Sequence, residues 1–183
     1  VVMHGGPTSC SGPAYRTSVQ FWTSRGFAVV DVNYGGSTGF GRAWRERLAG
    51  QWGVVDLDDA VAAVEHLVAA GAVDPARVVI RGGSAGGFTV LRALAFTDRF
   101  AAGINYFGVA DLQTLARDTH KFESRYLDHL VAPLPQGHAL YRERSPVGHL
   151  HQGRGALLTL QGSDDRAVPP QQSRAVVAEA RAA

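Results

Sequence analysis

The chain has 183 residues, 45% of them apolar, which predicts one globular domain with a sizeable core and leaves no run long enough to cross a membrane. Its net charge of +2 comes from scattered arginines, which excludes the basic block or stripe of a nucleic-acid-binding protein. The single cysteine, Cys10, excludes an internal disulfide and indicates a reducing compartment, so we expect a cytoplasmic protein.

Short apolar runs alternate with helical segments along the chain, a pattern typical of a parallel α/β sheet. The predicted strands are residues 1–3, 27–32, 77–80, 102–107 and 156–160. The predicted helices cover residues 17–25, 56–71, 89–94 and 171–183. Three acids open the second of these helices, where they complement its positive end, so we expect them to be structural: Asp56, Asp58 and Asp59.

Two further features concern the ends of elements and the connections between them. Gly71 is predicted to end the helix over 56–71, because glycine is the preferred residue just past a helix. Residues 111–152 are interrupted by prolines and carry only short helical pieces. A long insertion after a central strand typically covers the mouth of an active site.

The pattern G-x-S-x-G occurs at residues 82–86, between an apolar strand and a predicted helix. Such a turn presents a serine as a nucleophile, and small neighbours are needed because larger side chains would collide with the strand and the helix. We therefore predict Ser84 as the nucleophile and the backbone N–H of Ala85 as one donor of an oxyanion hole. The alternative is a glycine-rich turn with a solvent-facing serine.

The motif HGGP, residues 4–7, follows the first predicted strand, where the second oxyanion donor of this architecture is found. We assign that donor to Gly6. His4 is expected to be a hydrogen-bonded loop histidine, with proton transfer as the less favoured role. After the last predicted strand, Asp164 and Asp165 are candidates for the carboxylate of a catalytic triad, and the alternative is that both cap the following helix.

Other binding motifs are missing from the sequence. The glycine clusters at residues 5–12 and 36–44 lack the lysine of a P-loop and the third glycine of a dinucleotide fingerprint. The seven histidines show no metal-ligand spacing, and His149 and His151 alone do not make a site. We expect neither a cofactor nor a metal.

Six segments in this order resemble the catalytic domain of the prolyl oligopeptidase family of serine peptidases, in its acylaminoacyl-peptidase and dipeptidyl-peptidase-like branch. They are HGGP, NYGGSTGFGRAWRERLAGQWGVVDLDDA, RGGSAGGFT, GVADL, RSPVGHL and GSDDRAVPPQQS. The resemblance implies an α/β-hydrolase fold, a mostly parallel sheet with helices on both faces, and peptidase activity on oligopeptides. It also implies that Asp165, in a G-x-x-D-x-x-V-P pattern, is the triad acid.

The same resemblance suggests which residues meet the substrate. Side chains after the fourth strand would line the pocket for the residue next to the cut bond: Val109, Leu112, Leu115, Phe107 and Phe122. All five are apolar, which does not favour a basic substrate. Tyr34, in the NY pattern, is expected to shape a loop and not to react.

The resemblance also implies that residues 1–183 are part of a catalytic domain. In the family a catalytic histidine follows the acid after one more strand, and further strands and a β-propeller precede the domain. We therefore expect an incomplete sheet, a fragment that is inactive and poorly soluble because its edge strands are bare, and a full-length protein that could form homo-oligomers. A carboxylesterase on small esters and a non-catalytic hydrolase-fold binding module remain alternatives.

Overall fold

The computed structural model describes residues 1–118 and 125–182. Five parallel strands form one sheet in the order β2-β1-β3-β4-β5. The strands are β1 Val2–Met3, β2 Asp31–Val32, β3 Val79–Gly83, β4 Ala102–Tyr106 and β5 Ala156–Leu160. The parallel sheet and the five predicted strands are confirmed.

Helices connect the strands, as parallel neighbours require. They are α1 Thr17–Thr23, α2 Arg42–Glu46, α3 Val55–Ala69, α4 Ala85–Phe96, α5 Leu112–Asp118, α6 Tyr126–Leu130, α7 His138–Arg144 and α8 Pro170–Ala182. Two short 3₁₀ turns lie at Pro75–Arg77 and Leu150–Gln152. Residues 111–152 thus carry short helices, as predicted. Within the described part of the chain, no helix combines the length and the apolar character that a membrane crossing needs.

Strand boundaries differ from the prediction by one residue in β1 and β4 and by more in β2 and β3. The run 27–32 is a strand only at Asp31–Val32, because it lies at the sheet edge and its one neighbour, β1, is equally short. β3 begins after the 3₁₀ turn and continues through both glycines of the serine motif, since Gly82 and Gly83 pair with Asn105 and Tyr106 of β4.

The core lies between the sheet and helices α3 and α4. Every residue of α4 from 85 to 95 is buried, so this helix is the centre of the molecule. Buried side chains from β1, β2, β3, α3 and α4 form one cluster that includes Met3, Val32, Leu57, Val64, Ile80 and Val90. On the opposite face of β3, Arg81 extends to within 5.8 Å of the ring of Trp22 in α1, so helices lie on both faces.

One of the three acids at the start of α3, Asp56, is structural, as predicted. Asp56 is fully buried and accepts hydrogen bonds from the backbone N–H of Gly53, at 2.6 Å, and the hydroxyl of Thr89, at 2.5 Å. Burial raises the pKa of Asp56. Its role goes beyond complementing the helix dipole, because these bonds attach the start of α3 to α4.

The end of α3 also follows the prediction. Gly71 has φ of +67°, and its N–H donates to the carbonyl of Val68 while the N–H of Ala72 donates to Leu67. This pair of bonds is a Schellman motif, which needs a left-handed residue and therefore favours glycine.

β2 and β5 are the two edges of the sheet among the described residues. On β5, Leu158 is 52% exposed and Leu160 is 43% exposed. The predicted apolar edge is therefore present, and its effect on solubility stays a prediction.

Candidate active site

Ser84 lies at the turn between β3 and α4, at the carboxyl end of the sheet. Its backbone has φ of +54° and ψ of −121°, a conformation that non-glycine residues rarely adopt. Its N–H donates to the carbonyl of Tyr106 and its carbonyl accepts from Phe88, both at 3.0 Å, which holds the turn in place. This is the strained strand-to-helix turn that exposes the nucleophile in α/β hydrolases.

The glycines around Ser84 are required by close backbone approaches. A Cβ on Gly82 would lie 2.5 Å from the carbonyl oxygen of Gly86. A Cβ on Gly86 would lie 2.9 Å from the carbonyl oxygen of His4 and closer still to that of Met3. The predicted steric need for small residues on both sides of the serine is confirmed.

The donors predicted for the oxyanion hole lie near Ser84. Ala85 is the first residue of α4, so its N–H has no hydrogen-bond partner within the helix. This N–H lies at the helix N-terminus, which is the positive end of the helix dipole. A Cβ on Gly5 would lie 3.7 Å from the Cβ of Ser84, which brings the HGGP loop to the nucleophile. Gly6 follows with φ of +128°. The assignment of its N–H as second donor stays a prediction.

His4 is a hydrogen-bonded loop residue. Its Nδ1 lies 2.8 Å from the carbonyl oxygen of Gly5 and must donate, so Nε2 accepts from the hydroxyl of Ser37 at 2.7 Å. Its ring stacks on Tyr34 with 4.3 Å between centroids, and burial lowers its pKa. With both nitrogens engaged, His4 is not placed to take a proton from Ser84.

Tyr34 shapes the HGGP loop, as the sequence predicts. It is buried, its hydroxyl donates to the carbonyl of His4 at 3.0 Å, and burial raises its pKa. The hydroxyl therefore stays protonated and acts as a fixed donor to the loop.

The two acids after β5 have different surroundings. Asp165 accepts hydrogen bonds from the backbone N–H groups of Ala167 and Val168, both at 3.0 Å, and from the side chain of Gln161 at 3.3 Å. These are the bonds of an Asx turn leading into α8. Asp164 is exposed and accepts no hydrogen bond from residues 1–118 or 125–182. Asp165 thus braces the loop before α8, whereas the alternative was that both acids cap the helix, and its triad role stays a prediction.

The residues predicted to line a substrate pocket separate into three groups. Val109 and Leu112 are only 3% and 0% exposed and belong to an apolar cluster that includes Trp52 and Phe88. They expose almost no surface among the described residues, and their assignment to the pocket lining stays a prediction. Leu115 is partly buried at the edge of that cluster.

Phe107 lies beside Gly83, the residue before the nucleophile, and Phe122 lies outside the described residues. Phe107 is 41% exposed, and its ring lies 3.1 Å from the position that a Cβ on Gly83 would take. Its φ of +41° is strained for an aromatic residue.

Two features escaped the sequence analysis. Asn105, fully buried in β4, accepts from the N–H of Gly108 at 3.0 Å and lies against Gly87 of α4, so it braces the strand end beneath the Ser84 turn.

The second feature is a cavity of about 370 Å³ that opens beside Thr8, just past the HGGP loop. In the sequence, the closely spaced arginines of residues 42–47 could have indicated the positive charge of this cavity. Among the described residues, no three potential metal ligands cluster.

Comparison with known proteins agrees with this geometry. The sequence pattern described as "Prolyl oligopeptidase family" matches residues 13–183. A puromycin-hydrolyzing peptidase of Mycobacterium tuberculosis is 52% identical, with a TM-score of 0.95 over 97% of this chain and 27% of that one. The acylaminoacyl peptidase of Pyrococcus horikoshii is 25% identical, with a TM-score of 0.90 over 99% of this chain and 30% of that one.

Among curated proteins, dipeptidyl aminopeptidase BIII of Pseudoxanthomonas mexicana is 33% identical over 97% of this chain and 27% of its own length. The chain thus spans about 27% of the length of that relative. The likeness to these solved structures confirms the predicted α/β-hydrolase fold.

Proposed function

Because this chain belongs to the prolyl oligopeptidase family, we propose that the protein carrying it is a serine peptidase that cleaves peptide bonds through an acyl-enzyme. The observation that carries the proposal is the backbone of Ser84, held at φ of +54° between glycines at the start of a buried helix. Only a residue that must present its side chain at that point gains from such a strained position.

In the proposed reaction Ser84 Oγ forms a bond to the scissile carbonyl carbon while a histidine takes its proton. The C–N bond then breaks, the histidine returns the proton to the leaving amine, and water releases the acyl group by the same steps. His4 does not fit the role of base, because both ring nitrogens are bonded within the loop. We propose that the histidine lies outside the described residues.

Of the two candidate acids we propose Asp165 for the triad, because it fills the acid position of the G-x-x-D-x-x-V-P pattern. The acid must accept the N–H of the histidine to fix its tautomer. The bonds from Ala167, Val168 and Gln161 orient the Asp165 carboxylate after β5, and a carboxylate with about four acceptor sites keeps capacity for that N–H. Asp164 is exposed and accepts no hydrogen bond from the described residues, so no contact orients it for this role.

The oxyanion that forms on the carbonyl would be stabilised by the N–H groups of Ala85 and Gly6. Each such donor contributes on the order of 10² to 10³ in rate. Phe107 and Leu115 are proposed to meet the substrate side chain next to the cut bond, since both have exposed or partly exposed apolar surface near the turn.

We propose oligopeptides as the substrate class, and the 52% identity to a puromycin-hydrolyzing peptidase supports puromycin as a further substrate to test. The experiment compares the full-length protein with its Ser84→Ala variant on an aminoacyl anilide, on puromycin, on short peptides and on a short-chain ester. We expect Ser84-dependent hydrolysis of the amides and labelling of Ser84 by a fluorophosphonate. Cleavage of the ester alone would replace the peptidase by an esterase.

A further inference from the structure

The cavity beside the HGGP loop is separate from every group used in the proposed reaction. Its volume is about 370 Å³, enough for one or two amino-acid residues. Its wall includes Thr8 of the loop after Gly6, Arg45 of α2 and His129 of α6. Thr38, from the loop before α2, lies in the same wall.

Hydrogen bonds between these parts fix the shape of the cavity. The hydroxyls of Thr8 and Tyr126 lie 2.5 Å apart, which joins the HGGP loop to α6. The N–H of Gly50 donates to the carbonyl of His129 at 2.8 Å, which joins α6 to the segment after α2. The cavity is therefore built into the fold.

Among the described residues that line the cavity, one positive charge is uncompensated. The one acid among them, Glu46, is paired with Arg42 at 2.5 Å, and the neighbouring Arg47 faces Asp59 at 3.4 Å. The guanidinium of Arg45 has no hydrogen bond or ion pair with any described residue. A planar guanidinium with free N–H groups matches the geometry of a carboxylate.

The cavity lies within reach of a substrate bound at Ser84. The HGGP loop touches the nucleophile at Gly5, and Thr8 follows three residues later, at most about 11 Å along the chain. An extended peptide advances about 3.3 to 3.6 Å per residue, so two or three residues cover that distance.

From these observations, and resting on the proposed peptidase function, we propose that this cavity binds a carboxylate of the peptide substrate two or three residues from the attacked carbonyl. Arg45 receives the carboxylate, and the hydroxyl of Thr38 and the ring of His129 supply further donors in the same wall. The carboxylate is either the free C-terminus of a short peptide or an acidic side chain.

The test measures kcat/KM of the full-length protein on matched peptides, with cleavage sites identified by mass spectrometry. One series ends in a free carboxylate or in an amide, at one to four residues beyond the cut. The other series is amidated and carries Glu or Gln at the second or third residue on either side of the cut. The variants are Arg45→Ala and, as a matched control, Arg174→Ala, which removes another exposed arginine, from α8.

We expect a carboxylate-to-amide or Glu-to-Gln ratio of kcat/KM well above one, largest two or three residues from the cut. Arg45→Ala should lower that ratio about tenfold, the usual size of a charged hydrogen bond, and Arg174→Ala should leave it unchanged. The kcat/KM ratio of the first series rises above one if the ligand is a C-terminus, and that of the second series rises if it is an acidic side chain.

Equal cleavage of both members of every pair, or a ratio that Arg45→Ala does not change, would overturn this inference while the peptidase function stands. Failure to cleave any peptide, together with no fluorophosphonate label on Ser84, would overturn the proposed function and this inference with it.

Discussion

Replacing Gly86 by alanine tests whether contact between β1 and α4 sets the geometry of the Ser84 turn. The new Cβ would overlap the carbonyl oxygen of Met3 and lie 2.9 Å from that of His4, so the strand and the helix must separate by roughly 1 Å. Both obstacles are backbone atoms, so the cost falls at or above the upper end of the 1–3 kcal/mol typical of overpacking. For a domain of this size that lowers Tm by about 6 to 12 °C.

The same displacement carries the HGGP loop away from Ser84, because β1 leads directly into that loop. A misplacement of about 1 Å at a reacting centre costs on the order of 10² in rate. The assay is thermal unfolding together with kcat on an aminoacyl anilide, measured on the full-length protein. Gly12→Ala is the matched control, since nothing lies within 4 Å of its added methyl. A Gly86→Ala variant with the Tm and kcat of the wild type would refute the reasoning.

Three further predictions concern the chemistry. Ser84→Ala should lower kcat about 10⁶-fold and abolish fluorophosphonate labelling without changing Tm, and residual turnover within tenfold of the wild type would remove Ser84 as nucleophile. Asp165→Asn should lower kcat about 10⁴-fold and Asp164→Asn less than tenfold, and the reverse order would move the triad acid to Asp164. Because burial lowers the pKa of His4, neutral His4 stabilises the fold above its ordinary value of about 6.5, and that stability is lost as pH falls. His4→Gln should therefore flatten the fall of Tm between pH 7 and pH 5, and an unchanged slope would contradict this.

The sheet could be predicted because the residues within each strand favour a strand without help from distant segments. β5 has the predicted bounds, Ala156–Leu160, since a continuous apolar run is flanked there by glycine and polar residues. β3 shows the limit of this reasoning. Gly82 and Gly83 have no strand propensity, and their pairing with Asn105 and Tyr106 is decided by residues more than twenty positions away.

The functional site shows the same contrast between features set by local sequence and features set by distant segments. Ser84 and its glycines could be predicted because the steric demand of the turn is local. The exposure of the pocket candidates could not, because Val109 and Leu112 belong to an apolar cluster with Trp52 and Phe88, which come from two distant segments. Local sequence shows that a residue is apolar, and only the packing shows whether it is exposed.

The choice between the two acids could be made from the motif, but the way the acid is held could not. The spacing of the motif selects Asp165 without showing what orients its carboxylate. Gln161 does so, because its amide contacts both Asp165 and the carbonyl of Val168 while it accepts from Ser173 of α8. Gln161 and Ser173 lie outside the G-x-x-D-x-x-V-P pattern, so the pattern alone does not predict this network.

The two strained residues of the site depend on each other through the sheet. Among the described residues, Ser84 and Phe107 are the non-glycine positions with positive φ, and they end the neighbouring strands β3 and β4. Such conformations cost about 1–3 kcal/mol each and persist only where the surroundings over-determine them. Here the N–H of Ser84 donates to Tyr106 and that of Phe107 donates to Leu160, so each strained turn is held by the next strand of the ladder. The position of the nucleophile therefore depends on β5 as well as on its own strand, although β5 contributes no side chain next to it.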